Sequence, residues 1–482
     1  MKNLYTHIHF ALLCAIATVA CMGGLSCKKL TTAEAPVTSV NAGNVYNNDG
    51  TAASVLTGIY ASMASFNQGF NQSITTIYLY QALSADELTL YNTNDLVLEP
   101  YYTNSLTSTT PTVWDDLYYF VFIANAAIDG LNSSSGLTPA VKQQLLGEAE
   151  FVRAFCYFYL VNSYGPVPLV VTSNYKTTAG LGRAAATQVY EQIVADLEDA
   201  QINLSAFFLK SDAKTPDNSG VPERVRPSRM AATALLARVY LYVGNFPGAD
   251  SAASAVIGNS DFSLDSLNSV FLKNSTETIW ALQPVGVGVN SNTGDGDIFN
   301  LPSTGPNTFP NEVYLSNNLL ASFEPADGRR TNWVDSVVGG GVTYYYPYKY
   351  KIGAVNKTTQ EYIMVLRLGE QYLIRAEARA HEGNLTGAAG DLNTIRSRAG
   401  LPNTAAASQA DLLSAVLHER QVELFTEWGH RWFDLIRTNN VGTVMSVVAP
   451  QKGGTWDSHD ELYPIPQSEI TLDSKLVQNT GY

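Results

Sequence analysis

The chain has 482 residues, 45% of them hydrophobic and 15% charged, a composition that is globular and long enough for one large or two ordinary domains. Its formal net charge of −14 and the lack of any cluster of five basic residues argue against a nucleic-acid partner, whose phosphates demand the opposite sign. Aromatic residues make up 11%, including 27 tyrosines, which suits surfaces that are wet at one end and apolar at the other.

The first segment, MKNLYTHIHFALLCAIATVACMGGLSC, places an early Lys2 before an apolar run from Phe10 to Met22. That run is too short to span a bilayer and ends in small residues, so 1–26 reads as a secretory signal. Leu25-Ser26-Cys27 followed by Lys28-Lys29 is the pattern of a lipoprotein processing site, with Cys27 lipidated; Cys21, after Val19-Ala20, is the alternative. Cys14 and Cys21 would leave with the signal, and Cys156, inside an aromatic helical run, would remain as a small buried hydrophobe with no disulfide partner. Residues 27–48 are polar, without helical period, and read as a tether.

Residues 49–482 then read as one domain. A small-residue helix is expected over Thr51–Ser65, with Val55, Ile59 and Met63 on one side. Residues 67–110 lack sustained periodicity and read as long loops with short strands, which compact domains rarely carry unless they bind something. Apolar helices follow at Trp114–Leu131 and Val141–Tyr164, the second stopped by Gly165-Pro166, and a returning helix at Thr187–Ala200 with Thr187 as cap. Within Val141–Tyr164, Glu150 and Arg153 stand three apart among bulky apolar groups and read as a packed ion pair.

Residues 229–257 and 368–396 repeat one another at a constant offset of 139, which superposes Gly244 on Gly383, Asn245 on Asn384, Phe246 on Leu385, Ala237 on Ala376 and Ala249 on Ala388. Helix, Gly-Asn-apolar turn, then small-residue helix is the tetratricopeptide pattern. Helical repeats are therefore expected over about 141–257 and 362–437, with excursions at about 67–110 and 258–361. In the second excursion Thr278–Leu282 reads as a buried strand with Trp280 in the core. Residues 285–312, dense in Gly, Asn, Pro and Ser, read as exposed loop.

The stretch DLLSAVLHERQVELFTEWGHRWFDLIR, Asp411–Arg437, has an apolar stripe of Leu413, Val416, Leu417, Leu424, Trp428 and Leu435 that also carries Arg420, Glu427 and Arg431. Charges inside such a stripe must be paired. The Glu427–Arg431 spacing of four suggests a ladder along the helix, broken or kinked at Gly429. Structural ion pairing is the reading here, in preference to a carboxylate pair for acid–base chemistry.

Three stretches carry a family likeness: AxxVLxGIYxxM in the first helix, GEAxFxRAxxYFxLVxxYGxVPLV around Glu150, and ERxxELxxExGHRWFDLIR from Glu419. With the ending LYPIPQSEI and QNTGY, they resemble the SusD/RagB family over essentially the whole chain beyond the signal. The resemblance implies a mostly α, tetratricopeptide-like scaffold with a loop-rich insertion subdomain. It further implies a non-enzymatic lipoprotein, anchored in the outer membrane and facing outward. Such a protein captures oligosaccharides or polysaccharide and passes them to a SusC-like TonB-dependent transporter; some members handle peptides.

Catalytic and metal motifs point nowhere. His418-Glu419 is followed by Val422 where HExxH needs histidine, and no GxSxG, P-loop or dinucleotide glycine motif is present. Asp295 and Asp297 lack the further oxygen ligands of a calcium loop and read as solvated. No cofactor is implied. Recognition is left to aromatic faces, on which sugar C–H patches stack, and to amides that pair with hydroxyls. The candidates are Tyr91, Asn92, Asn94, Tyr101, Tyr102 and Asn104 in the first excursion, and Asn290, Asn292, Phe299, Asn300 and Trp333 in the second. Trp333, amid Asp327–Asn332, ranks first, whereas Tyr344–Tyr350 could alternate in a strand and be half-buried. A secreted hydrolase and a scaffold that binds only proteins are the rival classes.

Overall fold

The computed structural model describes residues 44–65, 74–288 and 291–482; the signal, Cys27 and most of the tether lie outside them, as does Asn290. From Tyr46 onward the chain forms one unit of packed helices with short two-stranded ladders. The scaffold is mostly α and tetratricopeptide-like.

Helix α1 spans Asp49–Met63, capped by the Asn48 side chain, with Ile59 and Met63 buried. Where long loops were expected, Ile77–Ser84 forms helix α2, buried on every side. A helix with no wet face shows no amphipathic period, which is why the sequence pattern concealed it. Strand β1 (Leu88–Leu90) and the short helix α3 (Leu98–Tyr102) follow, then α4 (Trp114–Ser133), α5 (Pro139–Tyr164) and α6 (Ala186–Asn203). Helix α5 stops at Gly165, whose φ of +71° suits glycine. The Glu150–Arg153 pair does not form. Arg153 instead makes a bidentate bridge to Asp196 on α6 at 2.8 and 2.6 Å, and Glu150 accepts from Asn203 Nδ2. Cys156 is a buried free thiol.

The repeat is visible in three dimensions. Helices α7 (Arg229–Tyr242) and α8 (Phe246–Ile257) turn at Gly244, φ +74°, and α9 (Leu368–His381) and α10 (Leu385–Arg398) turn at Gly383, φ +81°. Each turn is closed by its asparagine: Asn245 Oδ1 accepts from Gly248 N at 3.1 Å and Asn384 Oδ1 from Gly387 N at 3.0 Å. Ala237, Ala376, Ala249 and Ala388 are all buried and let the helices approach closely. Arg238 and Glu370 join the hairpins through two contacts of 2.7 Å.

Strand β2 (Thr278–Leu282) is wholly buried, Trp280 included, and pairs antiparallel with β6 (Ile363–Arg367). Strand β1 pairs antiparallel with β3 (Val313–Leu315), and β4 (Val334–Gly339) with β5 (Val342–Pro347) forms a hairpin.

Helix α11 runs Gln409–Glu423 and α12 His430–Arg437, separated by a turn in which Thr426, Trp428 and Gly429 all have positive φ, so the chain breaks where Gly429 suggested. Leu412, rather than Leu413, takes the core position. The charges are buried and paired, but not along the helix. Arg431 bridges Asp86 at 2.7 Å, Arg420 bridges Asp434 at 2.6 Å, and Glu427 accepts from Arg367 and from Lys349 at 2.7 and 2.5 Å. Glu423 receives Arg329 at 3.0 Å, Arg367 at 2.6 Å and Arg398. Burial alone would raise its pKa, but the three guanidiniums outweigh burial and hold it well below the carboxylate range. Asp86, Arg329, Lys349, Arg367 and Arg398, from five separate stretches, are thus fastened to this helix–turn–helix.

Candidate ligand-binding site

The β1–β3 ladder positions the open face. Its alternation turns Leu88, Leu90, Val313 and Leu315 inward and Tyr314 outward. Pairing continues one residue further, Tyr91 N donating to Glu312 O at 2.7 Å, so residues 91–98 and 305–312 leave the ladder side by side. Tyr91, 46% exposed, meets Tyr344 edge-on at 6.1 Å, and Tyr344 meets Tyr314 edge-on at 5.1 Å. Tyr344 is brought there by β5, where it and Tyr345 are half-buried and Tyr346 is buried, as strand alternation allowed.

Both loops are tied by polar side chains. Asn92 Nδ2 donates to Glu312 Oε2 at 2.8 Å. Asp95 Oδ1 accepts from Val97 N and Leu98 N at 2.8 and 2.7 Å, an Asx turn that leads into α3. Across from it, Asn307 Oδ1 accepts from Phe309 N and Asn311 N, and Asn311 Nδ2 donates to the carbonyls of Asp297 and Ile298. These bonds hold out Phe309, 68% exposed. A cleft of about 140 Å³ opens beside the tyrosines, lined by Leu79, Tyr80, Asp95, Leu98, Phe309, Glu312 and Val313. Burial raises the Glu312 pKa, the Asn92 hydrogen bond opposes that, and the neighbouring Asp95 charge adds to it. Chemically the arrangement offers one exposed and two half-buried rings on which apolar patches could stack, with amide and carboxylate groups beside them.

Of the expected ligand residues, Tyr91 and Asn92 stand at this face and Asn94 is exposed near it. Tyr101, Tyr102, Asn104, Asn292, Phe299 and Trp333 are corrected by the structure. Tyr101 is buried, stacked on Tyr80 at 4.3 Å, its hydroxyl donating to Pro111 O. Tyr102 lies buried beneath the Lys452 ammonium, and Asn104, at φ +55°, donates to Ser84 O from a buried turn. Asn292 Oδ1 accepts from Gln360 N at 2.9 Å, and Phe299 packs on Tyr78, both inside. Asn300 is half-buried.

Trp333 is completely buried, with Nε1 donating to Leu267 O at 2.7 Å. Its ring faces Lys349, Arg398 and Arg367 at 5.0, 5.6 and 5.9 Å. The cause is local: Asp327 caps the helical turn Gly328–Asn332, Arg329 enters the Glu419–Glu423 network, and the tryptophan follows it in.

The 285–312 stretch is likewise not exposed throughout. Thr293 caps a buried turn, Gly294–Phe299, within which Gly296 leaves the Ile352 carbonyl the space a Cβ would fill. Asp295 and Asp297 are therefore buried rather than solvated, and burial raises both, Asp297 to about 6. Among the described residues no three His, Cys, Asp or Glu converge on a metal position. The sequence reading missed Tyr314, Phe309, Glu312 and Asp95; Phe309-Pro310 between asparagines was the available signal for a held-out ring.

Comparison with known proteins fits this architecture. Residues 334–482 match the model of the SusD family, and residues 45–241 match that of a family described as starch-binding and associating with the outer membrane. The chain is 26% identical over 455 residues to a SusD-like protein, P38, of Formosa agariphila, covering 81% of this chain and 83% of that one. Among solved structures, a SusD superfamily protein from Bacteroides vulgatus superposes with a TM-score of 0.76 at 19% identity over 90% of this chain and 99% of that one. A laminarin-binding SusD-like protein superposes with a TM-score of 0.74 at 24% identity over 91% and 100%.

Proposed function

We propose that this chain, which belongs to the SusD/RagB family, captures a glycan on the face of Tyr91, Tyr314 and Tyr344 and passes it to a SusC-like TonB-dependent transporter. Glycan binding is supported at the level of the family, whose descriptions are of starch-binding and laminarin-binding proteins. The observation that carries the placement is the cluster of exposed Tyr91 with half-buried Tyr314 and Tyr344, next to Glu312, which lines the 140 Å³ cleft and accepts from Asn92.

A polymer slides across an open face where it could not enter a closed pocket, and stacking needs no bond to be made or broken. The protein acts as a binding partner and the hand-over as hinge motion above the barrel. Cys27 is the proposed lipid anchor, holding the domain at the outer membrane through residues 27–48. The repeat side, with a groove of about 370 Å³ lined by Tyr242, Phe246, His381 and Leu417, is the proposed transporter-facing side. The functional domain is 49–482.

The reading is tested by affinity electrophoresis of the purified chain through gels containing laminarin, starch, xylan or mannan. Retardation by at least one polymer that Tyr91→Ala abolishes is expected. Retardation that survives Tyr91→Ala together with Tyr344→Ala would remove the face from the proposal. Shortening of the polymer by the protein alone would convert it to the hydrolase reading.

A further inference from the structure

We infer that the glycan taken by this face is an uncharged one, and that Glu312, supported by Asp95, sets that selectivity by repelling uronate and sulfate groups. The inference rests on the placement of the ligand face argued above.

Several Glu and Asp side chains of the core meet guanidiniums: Glu148 bridges Arg226, Asp196 Arg153, Glu370 Arg238, Asp327 Arg329, and Glu423 three arginines; among the described residues Glu87, Asp295 and Glu361 are buried without such a bridge, but none of them lines the cleft. At the cleft this pattern is not followed. Glu312 is only 5% exposed, yet among the described residues neither it nor Asp95 is ion-paired, and the side-chain donor to Glu312 is the neutral amide of Asn92.

The sequence around the cleft explains why no cation arrives. Between Lys29 and Lys142, and again between Lys273 and Arg329, there is no lysine, arginine or histidine. Those two intervals supply every residue that lines the cleft. Both bear carboxylates, Asp95 and Glu99 in one and Asp297 and Glu312 in the other. Basic groups that approach from other segments are committed elsewhere. Lys452 donates to the carbonyls of Leu83, Ser84 and Ala85, and Arg330 stacks at 4.5 Å on Tyr345, which points to the opposite side of its strand from Tyr344.

A sugar hydroxyl beside Glu312 donates a hydrogen bond to it and strengthens binding. A ligand carboxylate or sulfate at that position meets like charge with no counter-ion at hand, and such juxtaposition excludes wrong partners strongly.

The test is a paired titration of the purified chain with laminarin and with sulfated laminarin, which differ in charge and share a backbone. Xylan against polygalacturonate serves as a second pair. The neutral polymer of at least one pair is expected to bind at least tenfold more tightly than its anionic partner. The gap should narrow on raising sodium chloride from 50 to 500 mM, because the repulsion is screened. Glu312→Gln should also narrow it, by three- to tenfold. Anionic polymers binding as tightly as neutral ones, with Tyr91→Ala still abolishing both, would overturn the charge selectivity and leave the ligand face standing. Binding of neither class would overturn both. An unchanged neutral-to-anionic ratio in Glu312→Gln and in Asp95→Asn would remove these carboxylates as its origin.

Discussion

The surroundings of Glu423 and of Glu312 handle a buried carboxylate in opposite ways. Glu423 ends helix α11 where Arg329, Arg367 and Arg398 converge from three segments, and they hold its pKa well below the carboxylate range. Glu312 lies in a cleft with an amide for company, and burial pushes its pKa up. The first arrangement is finished within the chain and makes the scaffold unique in register. The second has no cation and one amide donor, which suits the proposed recognition role. One region locates segments; the other, on the proposed function, takes hydroxyl donors from a ligand.

The strongest way to break the contrast is Arg367→Met, which deprives Glu277, Glu423 and Glu427 of a cation inside the core. Removing one partner of a buried pair is expected to cost about 5 kcal/mol, read as a fall in the urea midpoint. A loss under about 1 kcal/mol would show the network to be dispensable. Trp333→Ala, in the same box of cations, should cost about 4 kcal/mol through the cavity it leaves. Glycan affinity of the fraction still folded should not change; specific loss of affinity at full stability would return Trp333 to the ligand site.

On the other side, Tyr91→Ala should change stability by no more than about 0.5 kcal/mol. It should weaken glycan binding by more than about tenfold, a loss above about 1.4 kcal/mol, by calorimetry, enough to abolish the retardation in gels. Smallest is the pH effect. The Glu312 pKa is raised in the folded state, so its contribution to stability is fully present below the unfolded value and is lost as pH rises through the folded one. Glu312→Gln should therefore match the parent in melting temperature at pH 4 and melt slightly higher at pH 7.5. For Glu423 the sign reverses: its depressed pKa gives stability that is present above the unfolded value and lost as pH falls toward the folded one.

What the sequence disclosed was whatever depends on neighbours in the chain. Gly244 and Gly383 mark their turns because a left-handed residue and an asparagine cap are local necessities. Trp280 was readable because a five-residue apolar strand has one destination. Ion partners were not readable. Glu427 was paired with Arg431 and Glu150 with Arg153 by helical spacing, but each found its partners on other elements, since a buried guanidinium is oriented by whichever carboxylates the packing delivers. Polar neighbours made Trp333 look loop-borne, when Asp327 and Arg329 were themselves interior. Of the proposed ligand face, Tyr91 and Asn92 were singled out by loop composition. Tyr314 and Glu312 were not, because a three-residue ladder formed with a strand more than two hundred positions away decides which of them faces out.

That ladder has a consequence for how such proteins diversify. Residues 91–98 and 305–312 spring from one end of it, joined by Tyr91 N to Glu312 O and by Asn92 to Glu312. Grafting both segments together into a homologous framework carries an intact pair of lips, whereas grafting one strands an amide from its carboxylate. New specificities should therefore be inherited as matched couples, with the helices beneath left free to stay as they are.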